Sequence, residues 1–353
     1  MSSVAPLLSI CIPTFNRSKL LELCLSTVLP QVLQYSNEVE CVVSDNASSD
    51  ETPEVLTRFA ESYPIWISRN EINLGIVANI TKCASELARG EFVFMIGDDD
   101  VLTVGAIEKI LGMLRSEDAP DLIALNVGYL PLTDRPLAGD AMGGVSEVSQ
   151  IRLRRCTEDG IVHFNDLFEG PPVDLTASYS VVIRRRLWQA CFPTACRDEP
   201  FTSVRTTYPS AFVIAKTMPG RMAGLISSPI VMIYEMPGSE YSWAKYRALN
   251  SLIYATLLFK LYEANGVPYE VLRPYYLYQL SNRSIELGDL FWNPKSLGGF
   301  RAVLQFVWLF RGHPVRLLRM FAAAMCHSEA PWLLALSSRL LMRLKHIVVP
   351  GRS

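Results

Sequence analysis

Residues 91–102 read Glu-Phe-Val-Phe-Met-Ile-Gly-Asp-Asp-Asp-Val-Leu, an apolar run that ends in three consecutive carboxylates. The apolar part has the length and the aromatic and β-branched content of a buried strand. In open α/β sheets ligands bind outside the carboxyl ends of the strands, so Asp98, Asp99 and Asp100 stand where a ligand is expected. Carboxylates packed this closely repel one another unless a cation offsets them, and their oxygen atoms suit Mg²⁺ or Mn²⁺. The pattern predicts a metal site; a solvated acidic turn is the alternative.

Composition limits the classes of protein that remain. The chain has 353 residues, of which 50% are hydrophobic and 19% charged, and its formal net charge is −2. This predicts a globular protein with two domains, or one domain and a large extension, and argues against a nucleic-acid binder. The eight cysteines form no CxxC pair, which favours reduced thiols in a cytoplasmic protein. Neither a signal peptide nor a membrane-spanning segment is expected.

The first 130 residues alternate strand and helix patterns with short connections. Repeated units of this kind predict an α/β fold with a mostly parallel sheet and right-handed crossovers. Five strands are predicted, at 7–13, 39–44, 65–68, 92–96 and 122–126. Polar residues follow three of them, in Pro13-Thr14-Phe15-Asn16-Arg17, in Asp45-Asn46 and in the aspartate run. Because neither GxGxxG nor GxxxxGK[ST] is present, a dinucleotide-binding Rossmann enzyme and a P-loop NTPase are disfavoured.

Four stretches, in this order and spacing, resemble the family 2 glycosyltransferases of the GT-A fold. They are Leu8–Arg17, Val42–Thr52, Asn73–Gly75 and Ala88–Leu102. The resemblance implies a nucleotide-diphosphate-sugar donor, a divalent Mn²⁺ or Mg²⁺ ion and inversion at the anomeric carbon. It further implies that the sheet is flanked by helices in a nucleotide-diphospho-sugar transferase fold.

The resemblance also assigns roles by position. The donor-binding residues it implies are Pro13, Thr14, Phe15, Arg17, Asp45 and Asp98, with Asp45 accepting a hydrogen bond from the nucleobase. The metal ligands it implies are Asp99, Asp98 and Asp100, with Asp99 holding the ion between the two phosphates. A purely local role for Asp45, in an Asx turn before the second helix, is the alternative.

Two positions depart from the family pattern. Gly97 stands where the first aspartate of Asp-X-Asp is usual, and Tyr208-Pro209 stands where the carboxylate pair with the catalytic base would fall. The first candidates for the base are therefore Asp198 and Glu199, just upstream, and Asp174 follows them. The segment from Ser178 through this Tyr-Pro pair is similar to the abequosyltransferase-like branch, which decorates bacterial surface polysaccharides.

The predicted organisation is a GT-A domain over 1–235, with a nucleotide-binding half at 1–130 and an acceptor half at 131–235. A helical, basic C-terminal extension follows over 236–353. Its last part, residues 301–353, holds eight Lys or Arg and a single acidic residue, Glu329. This pattern suits helices on an anionic membrane surface, on the inner face of the cell membrane. Helices packed as a subdomain, with arginines at the edge, are the alternative.

The predicted activity is transfer of a sugar to a glycan hydroxyl in O-antigen or other surface-polysaccharide biosynthesis, with lipid-linked glycans among the acceptors. A catalytically inactive nucleotide-sugar-binding scaffold is the main alternative, because of the departures at positions 97 and 208. A nucleotidyltransferase is the second, although the glycine-rich phosphate loop typical of that class is missing.

Overall fold

A computed structural model describes residues 5–130, 150–152, 158–168, 178–234, 244–292 and 298–326. The chain divides into two compact units, Met1–Met236 and Pro237–Ser353.

The first half of the N-terminal unit alternates strands with helices, as predicted. The elements are β1 (Leu8–Thr14), α1 (Ser18–Gln34), β2 (Val39–Asp45), α2 (Thr52–Ala60), β3 (Ile65–Arg69), α3 (Ile76–Lys82), β4 (Phe92–Met95), β5 (Val101–Leu102), α4 (Ala106–Leu114) and β6 (Leu122–Leu130). After α3 the chain continues as a π-helical turn, Cys83–Leu87.

The second half of this unit has fewer and shorter helices. Its elements are β7 (Gln150–Arg152), β8 (Gly160–His163), β9 (Val181–Arg184), α5 (Arg185–Cys191), α6 (Val204–Thr207), α7 (Pro209–Thr217) and β10 (Met222–Tyr234). Single 3-10 turns stand at Phe164–Phe168 and Ser178–Ser180.

The strands form one sheet in the order β3-β2-β1-β4-β9-β6-β10-β5, with β7 beside β6 and β8 beside β10. The four strands β3, β2, β1 and β4 are parallel, as predicted for the nucleotide-binding half. Beyond them the sheet is mixed, because β9 enters antiparallel between β4 and β6. Strand β9 belongs to the second half of the unit, and it runs antiparallel to both of its neighbours, β4 and β6. The predicted α/β class holds, and the strands β3, β2, β1 and β4 form the parallel part of the sheet.

The core lies between the parallel strands and the helices that cross over them. Every residue of β2 is buried, and β1 is buried except for the partly exposed Pro13. From α1 the side chains of Leu21, Leu25 and Val28 pack against them. A strand with both faces covered reads as continuous apolar sequence, which explains why these strands do not alternate.

The C-terminal unit is helical. It contains α8 (Arg247–Leu249), a π-helical turn at Asn250–Tyr254, α9 (Ala255–Ala264), α10 (Tyr269–Asn282), α11 (Ser284–Trp292), α12 (Gly299–Leu309) and α13 (Pro314–Cys326). Its core is aromatic: Phe259 packs edge-on to Tyr276, and the rings of Phe306 and Phe310 lie 4.8 Å apart. None of the helices in the described part of the chain is both long and apolar enough to cross a membrane.

Strand β4 approaches β1 closely at a glycine just before it begins. The Gly90 amide donates to Ser9 Oγ at 2.8 Å, and Ser9 Oγ donates to the buried Glu40 carboxylate at 2.6 Å. A Cβ atom at position 90 would lie 2.7 Å from the Ser9 amide nitrogen and 2.9 Å from the Leu8 carbonyl carbon. Since those atoms are backbone, the strand itself would have to move.

We therefore expect Gly90→Ala to lower the free energy of unfolding by about 1–3 kcal/mol, the usual cost of overpacking. The matched control is Gly112→Ala in α4, where an added Cβ meets nothing within 4 Å. That change should raise stability by roughly 0.5–1 kcal/mol, because alanine suits a helix better than glycine. Urea unfolding of both variants measures the difference, and a Gly90→Ala variant as stable as the wild type would contradict the close approach.

Candidate functional site

Three polar side chains stand side by side where β1, β2 and β3 end. Thr14 is aligned with Asp45 across the β1–β2 pair, and Asp45 with Arg69 across the β2–β3 pair. This alignment follows from the parallel register, which brings the carboxyl ends of the strands to one edge of the sheet.

Asp45 is buried, with 1% of its surface exposed, and its two oxygen atoms have different surroundings. Oδ1 accepts a hydrogen bond from the Ser48 amide at 3.0 Å, so the Asx-type turn is present. Oδ2 has no hydrogen-bond partner among the described residues, and the Nε of Arg69 lies 3.5 Å from it in an ion pair. A buried carboxylate oxygen without a hydrogen bond is costly, so Asp45 keeps one acceptor available for a donor from outside.

Arg69 was missed by sequence reasoning. It ends a short and weakly patterned strand, and nothing in its neighbourhood marks it as special. Its Nη2 donates to the Ser48 carbonyl at 2.7 Å, so the guanidinium is anchored beside Asp45 by the same turn. The signal that could have found it was its position at a strand end, the same signal that marked Asp45.

The loops after β1 and β2 hold each other in place. The Asn16 amide donates to Ser48 Oγ at 2.9 Å, and the Ser49 amide donates to Asn16 Oδ1 at 2.7 Å. Asn16 and Ala47 adopt positive φ angles of 53° and 65°, which non-glycine residues rarely do. Phe15, on the first of these loops, is 40% exposed.

Asp98 and Asp99 converge on the guanidinium of Arg17. Its Nη1 donates to Asp98 Oδ1 at 3.1 Å and to Asp99 Oδ2 at 2.8 Å. The second oxygen of Asp98 accepts from the Thr14 hydroxyl at 2.7 Å. Thr14 is itself buried, so its side chain positions Asp98 and is not free to face a nucleobase. The strand ends of β1 and β4 are thus tied together by two charged hydrogen bonds and one from a hydroxyl.

Asp100 is directed elsewhere. Its Oδ2 accepts a hydrogen bond from the Gly97 amide at 3.1 Å, which closes the turn on itself. A Cβ atom at position 97 would lie 2.7 Å from oxygen atoms of both Asp99 and Asp100. The glycine that replaces the usual first aspartate thus lets two carboxylates fold back over the backbone. Those side chains would have to move to admit an aspartate there.

The pKa values of these groups depend on their burial and on the charges of the neighbouring carboxylates and of Arg17. Burial raises the pKa of Asp98 to about 6, which Arg17 counteracts and Asp99 reinforces. Burial, and next the charge of Asp99, raise the pKa of Asp100 well above its usual range. Burial works to lower the pKa of Arg17, yet the charges of Asp98 and Asp99 outweigh it and the pKa is raised. The cluster has an excess of negative charge, which favours a further cation.

The donor set partly fits a divalent ion. Two carboxylates converge on one positively charged group, and Mg²⁺ is commonly held by one or two carboxylates together with substrate phosphates. Within the described ranges, no group of three or more His, Cys, Asp or Glu side chains is arranged to hold a metal ion. The structure therefore does not bring Asp100 together with Asp98 and Asp99 around one point.

The candidate bases lie on a loop between α5 and α6. Asp198 has a side chain that is 59% exposed, and it pairs with Arg205 at 2.7 Å. Glu199 is exposed, and in the described part of the chain no hydrogen bond or ion pair involves its carboxylate. The same loop reaches the turn after β3, where Pro200 lies 3.8 Å from the Cβ position of Gly75. Asp174 lies outside the described residues.

Tyr208 and Pro209 occupy a helix start. Pro209 is the first residue of α7, and Tyr208 precedes it as the N-cap. The preceding short helix α6 begins with a capping box between Ser203 and Thr206 and has Tyr208 as its C-cap. The Tyr-Pro pair therefore has a structural role at the junction of two helices.

The N-terminal part of the chain is similar in sequence to an enzyme family. Residues 9–135 match the profile described as "Glycosyl transferase family 2". The abequosyltransferase RfbV of Salmonella typhimurium is 28% identical, over 64% of this chain and 66% of the relative, slightly less than two thirds of its length.

Two solved structures share the fold. The structure of S. aureus TarS 1–349 in complex with UDP covers 96% of this chain and 90% of that one, at 13% identity and a TM-score of 0.55. The mannosyltransferase PcManGT from Pyrobaculum calidifontis, in complex with GDP-Man and Mn²⁺, covers 97% and 87%, at 16% identity and a TM-score of 0.51. At these identities the likeness concerns the fold, and it confirms the predicted GT-A class. The similarity to glycosyl transferase family 2 in sequence extends over residues 9–135 of this chain.

Proposed function

We propose that this chain transfers a sugar from a nucleotide-diphosphate-sugar donor to a hydroxyl of a glycan. The observation that carries the proposal is the row of Thr14, Asp45 and Arg69 at the carboxyl edge of the parallel strands, next to the pair of carboxylates at Arg17. One end of this edge offers a buried hydrogen-bond acceptor for a base, and the other offers charged groups for a diphosphate.

The nucleoside is bound at Asp45. Its Oδ2 is buried without a hydrogen bond from the described residues, while the Arg69 guanidinium beside it supplies donors. An acceptor next to a donor matches the edge of a nucleobase, which presents an N–H group next to an acceptor atom. Pro13, near the end of β1, and Phe15, in the loop that follows it, supply apolar surface for the base.

The diphosphate is bound at Arg17 and Asp99. A guanidinium binds phosphate oxygen atoms well, and Arg17 already stands at the centre of the carboxylate pair. Asp99, with Asp98 beside it, would hold the Mn²⁺ or Mg²⁺ ion; the Pyrobaculum mannosyltransferase of the same fold is a complex with both GDP-Man and Mn²⁺. When bound, the ion supplies Lewis-acid stabilisation of the departing diphosphate. Thr14 keeps Asp98 oriented throughout.

The base is Glu199 in this proposal, ahead of Asp198. A general base must be free to take a proton from the acceptor hydroxyl. Asp198 is paired with Arg205, whereas the Glu199 carboxylate has no such partner among the described contacts. Asp174 remains the third candidate.

The acceptor class is a bacterial surface polysaccharide. The relative RfbV is named an abequosyltransferase, and TarS a poly(ribitol-phosphate) beta-N-acetylglucosaminyltransferase. Both names describe transfer of a sugar, and the second names a hydroxyl-bearing polymer, which supports a hydroxyl of a surface polymer as the acceptor here. An acceptor on a lipid carrier is included in the proposal.

The donor site is tested by calorimetric titration with UDP, GDP, CDP and dTDP, each with and without Mn²⁺. We expect metal-dependent binding of one nucleotide and at least a tenfold loss of that binding in Asp99→Ala, since even groups that only orient metal ligands contribute about 10- to 100-fold. Asp118→Ala removes an exposed carboxylate after α4 and is the matched control. Unchanged metal-dependent binding in Asp99→Ala would exclude Asp99 as the ligand, and failure of all four nucleotides to bind would contradict the donor site.

The nucleobase contact is tested by Asp45→Ala with the nucleotide found above. Loss of a hydrogen bond to a buried carboxylate costs about 1.5–3 kcal/mol, so we expect Kd to rise by roughly 10- to 150-fold with or without metal. The nucleoside alone should lose affinity by the same factor, because it carries the base but no phosphate. A variant that binds the diphosphate less well but the nucleoside equally well would place Asp45 away from the base.

The base assignment is tested by Glu199→Gln and Asp198→Asn, assayed by release of nucleoside diphosphate in the presence of acceptor. Loss of a general base lowers kcat by about 10²- to 10⁴-fold, and we expect this for Glu199→Gln with nucleotide binding retained. Asp198→Asn and Arg205→Gln should resemble each other, since each breaks the same ion pair. If Asp198→Asn alone abolishes turnover, Asp198 is the base; if all three turn over normally, the assignment moves to Asp174. A chain that binds nucleotide yet never releases diphosphate is a scaffold.

A further inference from the structure

Helix α12 is apolar on two opposite sides. Ala302, Val303 and Phe306 are buried in the C-terminal unit. Phe300, Leu304 and Trp308 lie four residues apart on the other side, and they are 67%, 53% and 61% exposed. Residues at this spacing form one stripe along a helix. Since three large apolar side chains in a row are costly to keep in water, the stripe indicates a binding surface.

The next helix, α13, also has apolar side chains on both its buried and its exposed side. It exposes Val315 and Leu318, at 41% and 49%, and each is followed directly by an exposed arginine, Arg316 and Arg319. Its other side is buried through Leu317 and Met320. Together, the exposed apolar residues of α12 and α13 are called here the α12–α13 face: Phe300, Leu304, Trp308, Val315 and Leu318.

The charged residues of α12, of α13 and of the turn that joins them have one sign. From Gly299 to Cys326 the chain contains four arginines, at positions 301, 311, 316 and 319, and no aspartate or glutamate. All four are exposed. The Arg311 guanidinium lies 4.4 Å from the centre of the Trp308 ring and donates to the Trp308 carbonyl. Large apolar and aromatic side chains flanked by arginines are typical of helices that lie in the interface of an anionic bilayer.

We propose that the α12–α13 face binds the surface of an anionic membrane, with its apolar side chains in the acyl boundary and its arginines at the lipid headgroups. The charge pattern selects this partner over a second copy of the chain. A symmetric dimer through the same face would place the same arginines against each other, and like charges in a partly buried interface repel. The proposal does not depend on the donor or on the activity, because it concerns the C-terminal unit alone.

Vesicle flotation of the full chain tests the proposal. We expect binding to vesicles of phosphatidylcholine with about 30% phosphatidylglycerol, and at least tenfold weaker binding for Phe300→Gln/Leu304→Gln/Trp308→Gln. The control is Trp66→Gln/Ile72→Gln/Val104→Gln in the N-terminal unit, whose side chains are 50%, 65% and 63% exposed. This control should bind vesicles as the wild type does. Equal loss in the two triple variants, or no binding by the wild type, would overturn the proposal.

The charge requirement is tested separately. Each basic residue near an anionic leaflet contributes about a fivefold factor, so Arg301→Gln/Arg316→Gln should reduce partitioning by roughly 25-fold at low salt. Arg58→Gln/Lys109→Gln removes the same charge from the N-terminal unit and should have no such effect. Binding to pure phosphatidylcholine as tight as to the anionic mixture would refute the role of the arginines. Conversion of a wild-type dimer to monomer by the α12 triple variant would assign the face to a second copy.

Trp308 provides a direct readout of insertion. Lipids brominated on the acyl chain quench only those tryptophans that reach the acyl boundary. We expect quenching of the wild type on anionic vesicles, and most of it should disappear in Trp308→Phe, which keeps an aromatic side chain at that position. Equal quenching in Trp308→Phe would show that another tryptophan enters the bilayer, and would overturn the placement of this face.

Discussion

The parallel register of β1, β2, β3 and β4 is the constraint on which the site depends. Because the four strands run the same way, their carboxyl ends meet at one edge, and residues distant in sequence become neighbours there. Thr14, Asp45 and Arg69 are aligned by this register alone, and Asp98 is brought to Thr14 through a 2.7 Å hydrogen bond. The close approach at Gly90 maintains the pairing of β4 with β1, so the geometry of the acidic turn rests on a backbone contact in the core.

The acidic turn is stabilised by a cation that the chain itself supplies. Arg17 offsets the charge of Asp98 and Asp99, which would otherwise be costly to bury together. A cation that binds at Asp98 and Asp99 must therefore compete with the Arg17 guanidinium or share the carboxylates with it. Asp100 is accommodated separately, by a hydrogen bond from the Gly97 amide.

The two units illustrate different uses of apolar sequence. In the N-terminal unit, the apolar strands are covered on both faces and leave only their ends to a ligand. In the C-terminal unit, α12 has apolar side chains in its core and on its surface, and the arginines follow the exposed side. Burial in the core accounts for the apolar sequence of the strands in the N-terminal unit. Packing among the described residues of the C-terminal unit does not account for the exposed apolar side of α12, and a binding partner for that side is what we propose.

The sequence alone determined the fold class, the strands within residues 1–130 and the positions of Asp45 and the aspartates. These depend on local signals: continuous apolar runs, capping residues and polar residues at strand ends. It did not reveal Arg69, the use of Thr14 to hold Asp98, or the pairing of Arg17 with two aspartates. Nor did it show that Asp198 is paired with Arg205 while Glu199 has no such partner among the described residues, or which side of α12 faces outward. Those facts depend on register, packing and side-chain direction, which arise only when segments far apart in sequence meet, and so the tertiary structure decided them.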